Sequence, residues 1–454
     1  PEAECLRRFC AYFPTRLIGF SMVRKKRLIF NTALLTGTSL LMSLISMAYR
    51  VWLSVRIGAA GIGLFGLVLS VGFLCSTFAI SGVRFAATRL VSEELGCGRD
   101  SAVASAMRRC FAYALCFGVA AFLLLGSFAE PIGFLWIGDA RTVKPLRILA
   151  ISMPLISLTA AMSGYFTACG RVWKPAFVHL IEQLSTILIV VVLLRSAPEG
   201  DIEASCSAVV TGTVCGDLLS FILMLLFFLT DGRAAPGCVK CLRLGGRMLR
   251  LALPLAFSAY ARSALSTLEH LLVPRGLKAS GCSADRSLSV YGTVQGMVMP
   301  VIAFPACLLS ALSELIVPEL TEAQMRDDRS EIARCVRSLI KKSLGYSVTV
   351  ALLLFIFGEK IGLAVYSSSE AGYYIRVLSP LIPIMYLDTV VDGCLKGLGQ
   401  QLWSMGINIL DAALGVLLVW KLLPVYALTG YIAIIYFNEC LNLFLSIRRL
   451  SAVT

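Results

Sequence analysis

Apolar and polar stretches alternate along the chain on a scale of about twenty residues, the length a helix needs to cross a bilayer. Twelve such apolar runs can be marked, at 28–49, 62–83, 108–129, 146–169, 175–194, 205–229, 251–273, 289–315, 338–357, 377–396, 402–420 and 425–446. They are long and continuous, which fits helices and not the short alternation of barrel strands. Turn-forming residues stand between them, at Gly58 to Gly63, Pro131 to Gly138, Gly170 to Pro175, Pro198 to Gly200 and Gly397 to Gly399. The expected fold class is all-α, a polytopic membrane protein with twelve transmembrane helices.

The runs fall into two similar sets of six. At an offset of 229, Arg108, Glu130 and Gly133 match Arg337, Glu359 and Gly362, and Arg147, Leu149 and Pro154 match Arg376, Leu378 and Pro383. Gly164 and Gly170 match Gly393 and Gly399, while upstream the offset is 226, pairing Gly66 with Gly292 and Glu93 with Glu319. An even number of spans per unit makes the two repeats parallel, a transporter architecture in which cargo sits between halves that rock. The expected organisation is a cytoplasmic segment 1–27, an N-terminal half 28–229, a basic linker 230–250, a C-terminal half 251–446 and a tail 447–454. Linker residues Arg233, Lys240, Arg243, Arg247 and Arg250 suit either an inner membrane surface or a solvated connector. A lone pair there, Cys238 and Cys241, lacks the second pair a zinc site needs.

Composition agrees. Of 454 residues 58% are hydrophobic and 15% charged, against about 25% charged in soluble domains, and the mean hydropathy is +0.83. A soluble single domain, a disordered chain and a small secreted scaffold are excluded. The net charge of +14 would suggest nucleic acid in a soluble protein. Assigned to position it becomes topology, because 28 of 41 Lys and Arg fall on the inner side when the N-terminus is placed inside, 12 on the outer side, and Arg262 within a span. Both termini are therefore expected in the cytoplasm, in a plasma-membrane protein with no nucleic-acid partner. Most of the 16 Cys lie in apolar runs and read as small hydrophobes. Pro1 stands where a start methionine would, which points to trimming or a misassigned start. The first run is long enough to span and does not fit a signal peptide.

Two stretches carry a resemblance. Residues from Arg50 through Gly58, Gly61, Gly63 and Gly66 to Thr88-Arg89-Leu90-Val91-Ser92-Glu93 look like the first helix pair of polysaccharide and lipid-linked oligosaccharide exporters. Asp392-Gly393-Cys394-Leu395-Lys396-Gly397-Leu398-Gly399-Gln400 looks like the tenth-helix end of the stage V sporulation protein B branch. Over about residues 28–450 the chain thus resembles the multidrug/oligosaccharidyl-lipid/polysaccharide exporter superfamily. The resemblance implies a flippase for a polyprenyl-pyrophosphate-linked oligosaccharide, a precursor of cell wall, spore cortex or polysaccharide. The superfamily also holds proton- or sodium-coupled multidrug antiporters, the alternative.

A charge at the middle of a span costs about 2.5–3.5 kcal/mol on insertion scales, so each one asks for a partner, a wet cavity or a task. Arg262 lies near the middle of the seventh run, with Glu269 two turns on. Its guanidinium would suit a pyrophosphate, or would pair with a neighbouring carboxylate. Asp388 and Asp392 share a face of the tenth run, and Arg262 and Asp388, at similar depth, are expected to approach each other or to share a water-filled pocket. Acids on spans seven and ten form a cation site in the antiporter branch, and Glu269 with Asp388 resembles it. Arg50, like the first-helix arginine of lipid flippases, would bind cargo or snorkel to the interface. Arg84 and Arg89 close the second run and would receive a phosphate or serve topology. His179 and Glu182 match Asn408 and Asp411 at the repeat offset, either in a wet cytoplasmic funnel or as glue between helices. Asp217 and Glu439 read as interhelical hydrogen-bond partners.

The expected partners are a lipid-linked saccharide, membrane lipids and a proton or sodium ion, with a monomer as the working unit. No cofactor, metal or catalytic residue is expected. Phosphate loop, metal-binding His pair and nucleophile elbow are all missing from the sequence, and the outer loops are too short for a glycosyl transferase domain.

Overall fold

The computed structural model describes residues 21–96, 100–196, 198, 200–231, 244–326 and 329–453, and among them every regular element is helical. Cys238 and Cys241, with Arg233, Lys240 and Arg243 of the linker, lie outside the described residues.

The first element runs Ser21–Ile80 and is broken at Gly58, whose φ of 73° only glycine adopts freely. At 1.5 Å per residue its apolar length is far greater than the roughly 30 Å hydrocarbon core, so the break divides it into two segments. The last element, Gln401–Val453, is divided likewise at Ala427, three residues after Pro424. Between them come Val83–Gly96, Asp100–Pro131, the pair Val143–Ala150 and Ser152–Ala168, then Trp173–Ser196, Ile202–Leu229 and Leu244–Ala279. The eighth apolar run is a composite of Ala284–Tyr291, a π-helical turn Gly292–Val298 and Met299–Ala303, bent by 56° at Phe304–Pro305 into Ala306–Met325. Arg329–Tyr366, Ser369–Leu378 and Ile382–Gly397 follow. By length and composition seven described helices suffice to cross a membrane, nine if each bent pair is one span. Each of the twelve predicted runs coincides with a helix, a bent pair or one side of a broken helix.

One expected loop is helical. The expected turn covers Gly58 to Gly63, yet the helix resumes at once after Gly58, and Gly61 and Gly63 lie inside it. There Gly63 and Gly66 thin the helix against the eighth run, since a methyl at Gly63 would fall on the Leu288 carbonyl oxygen, one at Gly66 would touch the Tyr291 ring and one at Gly292 would fall on the Ala59 carbonyl oxygen. Gly292 and Gly296 form a small-xxx-small face that lets two backbones touch.

Packing is that of a membrane protein. Large apolar side chains in mid-helix face outward, as with Leu188 at 66% and Ile356 at 65% exposure, while Ser157 and Ser347 are fully buried. Their hydroxyls donate to Pro154 and Leu344 one turn back, so they pack as small residues with satisfied polar groups. The repeat shows in side chains too. Arg147 pairs with Glu130 at 2.5 Å and Arg376 with Glu359 at 3.1 Å, and both members of the two pairs stand 229 residues apart.

Candidate functional site

A cavity of about 700 Å³ is lined by the first, second, fourth, fifth and sixth apolar runs together with the seventh and eighth. Its second-run wall extends from Ile62 to Ser76, about 21 Å at 1.5 Å per residue. Size and mixed lining fit a site for a mid-sized ligand. Arg50 and Tyr49 stand at the end nearer the 58–62 break, and His179, Glu182 and Asp217 toward the other end.

Each polar side chain is presented by a helix that packs its opposite face. Arg50 is exposed, and no described carboxylate pairs with it. His179 Nδ1 lies 3.6 Å from Glu182 Oε2, one turn along the same helix. Asp217 faces both from the sixth run. Gln183 bonds Ser46 across the cavity. From the seventh run Thr267 donates to the Ser70 carbonyl at 2.9 Å, and His270 Nδ1 lies 3.2 Å from the Tyr291 hydroxyl. Gln295 donates to Tyr431 at 2.7 Å. Hydroxyls, amides and two carboxylates surround one unpaired guanidinium, an arrangement able to bind a polar head group that carries an anion.

The other predicted residues lie elsewhere. Arg262 is exposed and does not line the cavity, and the charged groups facing Asp388 are Asp392, Asp411 and Lys396. The expected approach of Arg262 to Asp388 is thus corrected. The cation for these acids comes from their own helix, where Lys396 lies 2.5 Å from Asp392 one turn on, and Ser404 bonds the same carboxylate. Arg84 is exposed near His179, while Arg89 makes a 3.1 Å surface pair with Glu93. Glu269 turns away from the cavity into a second polar cluster with Asp388, Asp411 and Glu439. In that cluster Asn408 accepts a hydrogen bond from Asn442 at 3.4 Å, and Asp388 Oδ1, Asp411 Oδ1 and Asn438 Oδ1 are buried without a described hydrogen-bond partner.

Sequence reasoning missed the cavity role of Asp217, Gln183 and Gln295. The available signal for Asp217 was its depth, near the middle of Ile202–Leu229, where an ionisable group calls for a reason.

Apolar exterior, broken and bent helices and an internal cavity with polar groups in its wall define a polytopic helical membrane protein. The family description "Polysaccharide biosynthesis protein" matches residues 28–324, and "MatE" matches 279–420. The chain belongs to the polysaccharide biosynthesis protein family. It is 21% identical over 409 residues to stage V sporulation protein B of Bacillus subtilis (strain 168), covering 89% of this chain and 78% of that protein. Sporulation protein YkvU of the same organism is 22% identical over 352 residues, 76% of each chain. Among solved structures, an inward-facing multidrug resistance MATE family transporter superposes with a TM-score of 0.72 at 12% identity, covering 90% of this chain and 95% of that one. The lipid II flippase MurJ in an inward closed conformation gives 0.71 at 14% identity, covering 92% and 87%. The all-helical expectation and the superfamily resemblance are both met.

Proposed function

We propose that the protein is a flippase for a polyprenyl-pyrophosphate-linked oligosaccharide, carrying its head group from the inner to the outer leaflet by alternating access. The observation that carries this is the unpaired Arg50 in a cavity rich in hydroxyls and amides. A guanidinium takes phosphate oxygens bidentately, and hydroxyl and amide groups suit a saccharide. Halves 28–229 and 251–446, twelve crossings, both termini in the cytoplasm of a plasma-membrane protein and a monomeric working unit complete the proposal. No cofactor and no catalytic step are needed. Export of two negative charges from an inside-negative cell is favoured by about 2.3 kcal/mol per charge per 100 mV. The family's relatives in sporulation support a cell-wall or spore-cortex precursor as cargo.

The alternative, a proton- or sodium-coupled multidrug antiporter, is favoured by Glu182 and Asp217 in the cavity, which suit a cation. Liposomes loaded with fluorescent lipid-linked oligosaccharide separate the two. A flippase moves the probe away from an outside quencher, and Arg50→Ala slows it at least tenfold, the value of a charge-assisted bond to phosphate. No movement of the probe, with drug-driven proton release instead, sinks the flippase and supports the antiporter.

A further inference from the structure

The second apolar run ends at a strained joint. Ser81 is fully buried and has φ 43°, and Gly82 follows at φ 71°. A serine in this left-handed region is costly and persists only where surrounding contacts impose it. Here they do. The Ser81 hydroxyl lies 2.8 Å from that of Tyr113, which donates back to the Ser81 carbonyl at 3.1 Å. Tyr260, from the seventh run, donates to the same Ser81 hydroxyl at 2.5 Å.

Tyr260 is the last rung of a ladder between the halves. Along the antiparallel second and seventh runs, Thr267 donates to the Ser70 carbonyl at 2.9 Å, Thr77 to Ser263 at 3.4 Å, and Tyr260 to Ser81. The first rung belongs to the cavity wall. Beyond the last, Val83–Gly96 continues as a separate helix.

The other half has a similar joint, at which no described hydrogen bond crosses to the opposite half. At the Phe304–Pro305 bend, Tyr346 of Arg329–Tyr366 donates to the Pro305 carbonyl at 3.0 Å, as Tyr113 does at Ser81. The second tyrosine there, Tyr386, donates to Ile302 at 2.7 Å from within the same half. The repeat offset of 226 puts Leu34 opposite Tyr260, a residue with no side-chain donor. Among the described hydrogen bonds, the tie to the opposite half is made at the Ser81 joint.

We propose that Ser81 is the joint of the inner gate and Tyr260 its latch. Parting of the halves on the inner side breaks the Tyr260 bond first, and Val83–Gly96 then swings about Ser81–Gly82. Because Ser266, Thr267 and His270 lie on the helix that carries Tyr260, filling or emptying the cavity moves the latch. "Inner" here rests on the orientation proposed above.

Hydrogen exchange on the full chain in lipid nanodiscs tests this without cargo, so failure of the latch and failure of the cargo reading are distinguishable. Tyr260→Phe keeps the ring against Phe78 and removes only the hydroxyl. Exchange across Val83–Gly96 should rise about fivefold, the worth of one net hydrogen bond, with the thermal midpoint little changed. Tyr346→Phe, at the untied joint, should leave Val83–Gly96 unaffected. Ser81→Gly, which keeps the backbone conformation and loses both hydroxyl bonds, should raise exchange at least as much as Tyr260→Phe. Unchanged exchange in Tyr260→Phe, or an equal rise in Tyr346→Phe, overturns the proposal. If Tyr260→Phe fails to fold, the Ser81→Gly result decides by the same criterion.

Discussion

Arg141, between the third and fourth apolar runs, reaches across to Asp285 of the other half, Nη2 to Oδ1 at 2.9 Å. Its reach is set by Asp139, which holds the same guanidinium at 2.7 Å and is nearly buried, whereas Asp285 is 73% exposed. Lys278 adds a second tie, 3.3 Å to the Gly138 carbonyl. An exposed pair is worth less than about 1 kcal/mol, so Asp285→Ala should speed hydrogen exchange over Gly138–Thr142 by less than about fivefold. High salt should abolish the difference. Asp139→Ala, which leaves the arginine held only by the exposed Asp285, should act more strongly.

The same carboxylate fixes the pH response. Burial pushes the Asp139 pKa up, but hydrogen bonds from the Arg141 side chain and backbone, with the charges of Arg141 and Lys278, outweigh it and hold it below 3.8. A depressed carboxylate stabilises the clasp above its ordinary pKa and loses that contribution as pH falls through the lowered value. Exchange over Gly138–Thr142, corrected for intrinsic rate, should therefore be flat from about pH 8 to about pH 5 and rise only below about pH 4. A transition near neutral pH would show that another group governs this face.

Gly292→Ala places a methyl on the Ala59 carbonyl oxygen, a backbone atom that cannot step aside cheaply. The expected cost is about 1–3 kcal/mol, read as a lowered thermal midpoint with faster exchange at 284–291. Gly126→Ala, where nothing lies within 4 Å, serves as the control and should be neutral or better.

The glycines show what the sequence conveyed and what it withheld. Length and continuity of the apolar runs report bilayer thickness, a one-dimensional property, and all twelve positions held as helix. The repeat offset recurs in two surface ion pairs, Glu130–Arg147 and Glu359–Arg376. Gly63 misled because glycine permits both a turn and a close helix contact, and only the partner helix decides. Arg262 misled for a related reason. Spacing gives the face and rough depth of a side chain, not which neighbour that face meets, and Lys396 had already supplied Asp392 with a cation. Arg50, His179 and Glu182 did reach the cavity, because in their case the polar face of the helix is also the one turned to the cavity.

Asp231 closes the sixth run with 3% of its side chain exposed. It accepts from the Tyr165 hydroxyl at 2.8 Å, pairs with Arg171, and lies 3.4 Å from Lys174, whose ammonium also sits 4.6 Å from the Phe166 ring centre. Removing one member of a buried pair strands the others and costs about 3–5 kcal/mol. Asp231→Ala should lower the unfolding midpoint far more than Glu130→Ala, whose pair with Arg147 is exposed on both sides. Equal shifts for the two variants would mean that the 231 cluster is not a structural anchor.

Coupling to an ion, if present, has two places to reside, and they predict different phenotypes. The acids Glu182 and Asp217 line the cavity proposed above for the cargo head group. An ion bound there would compete with cargo directly, so Glu182→Gln should change the apparent affinity for lipid-linked probe together with its dependence on pH or sodium. The cluster of Glu269, Asp388, Asp411 and Glu439 lies apart from the cavity lining, with buried carboxylate oxygens of Asp388 and Asp411 free of described hydrogen bonds. Such oxygens are costly unless protonated or ligated. An ion held there would act through helix position, so Asp411→Asn should flatten the ion dependence of the maximal rate and leave probe affinity within about twofold. Initial transport rates in liposomes, measured against probe concentration at several proton and sodium gradients, separate the two. Unaltered ion dependence in both variants would mean that the membrane potential, or removal of cargo on the far side, drives transport.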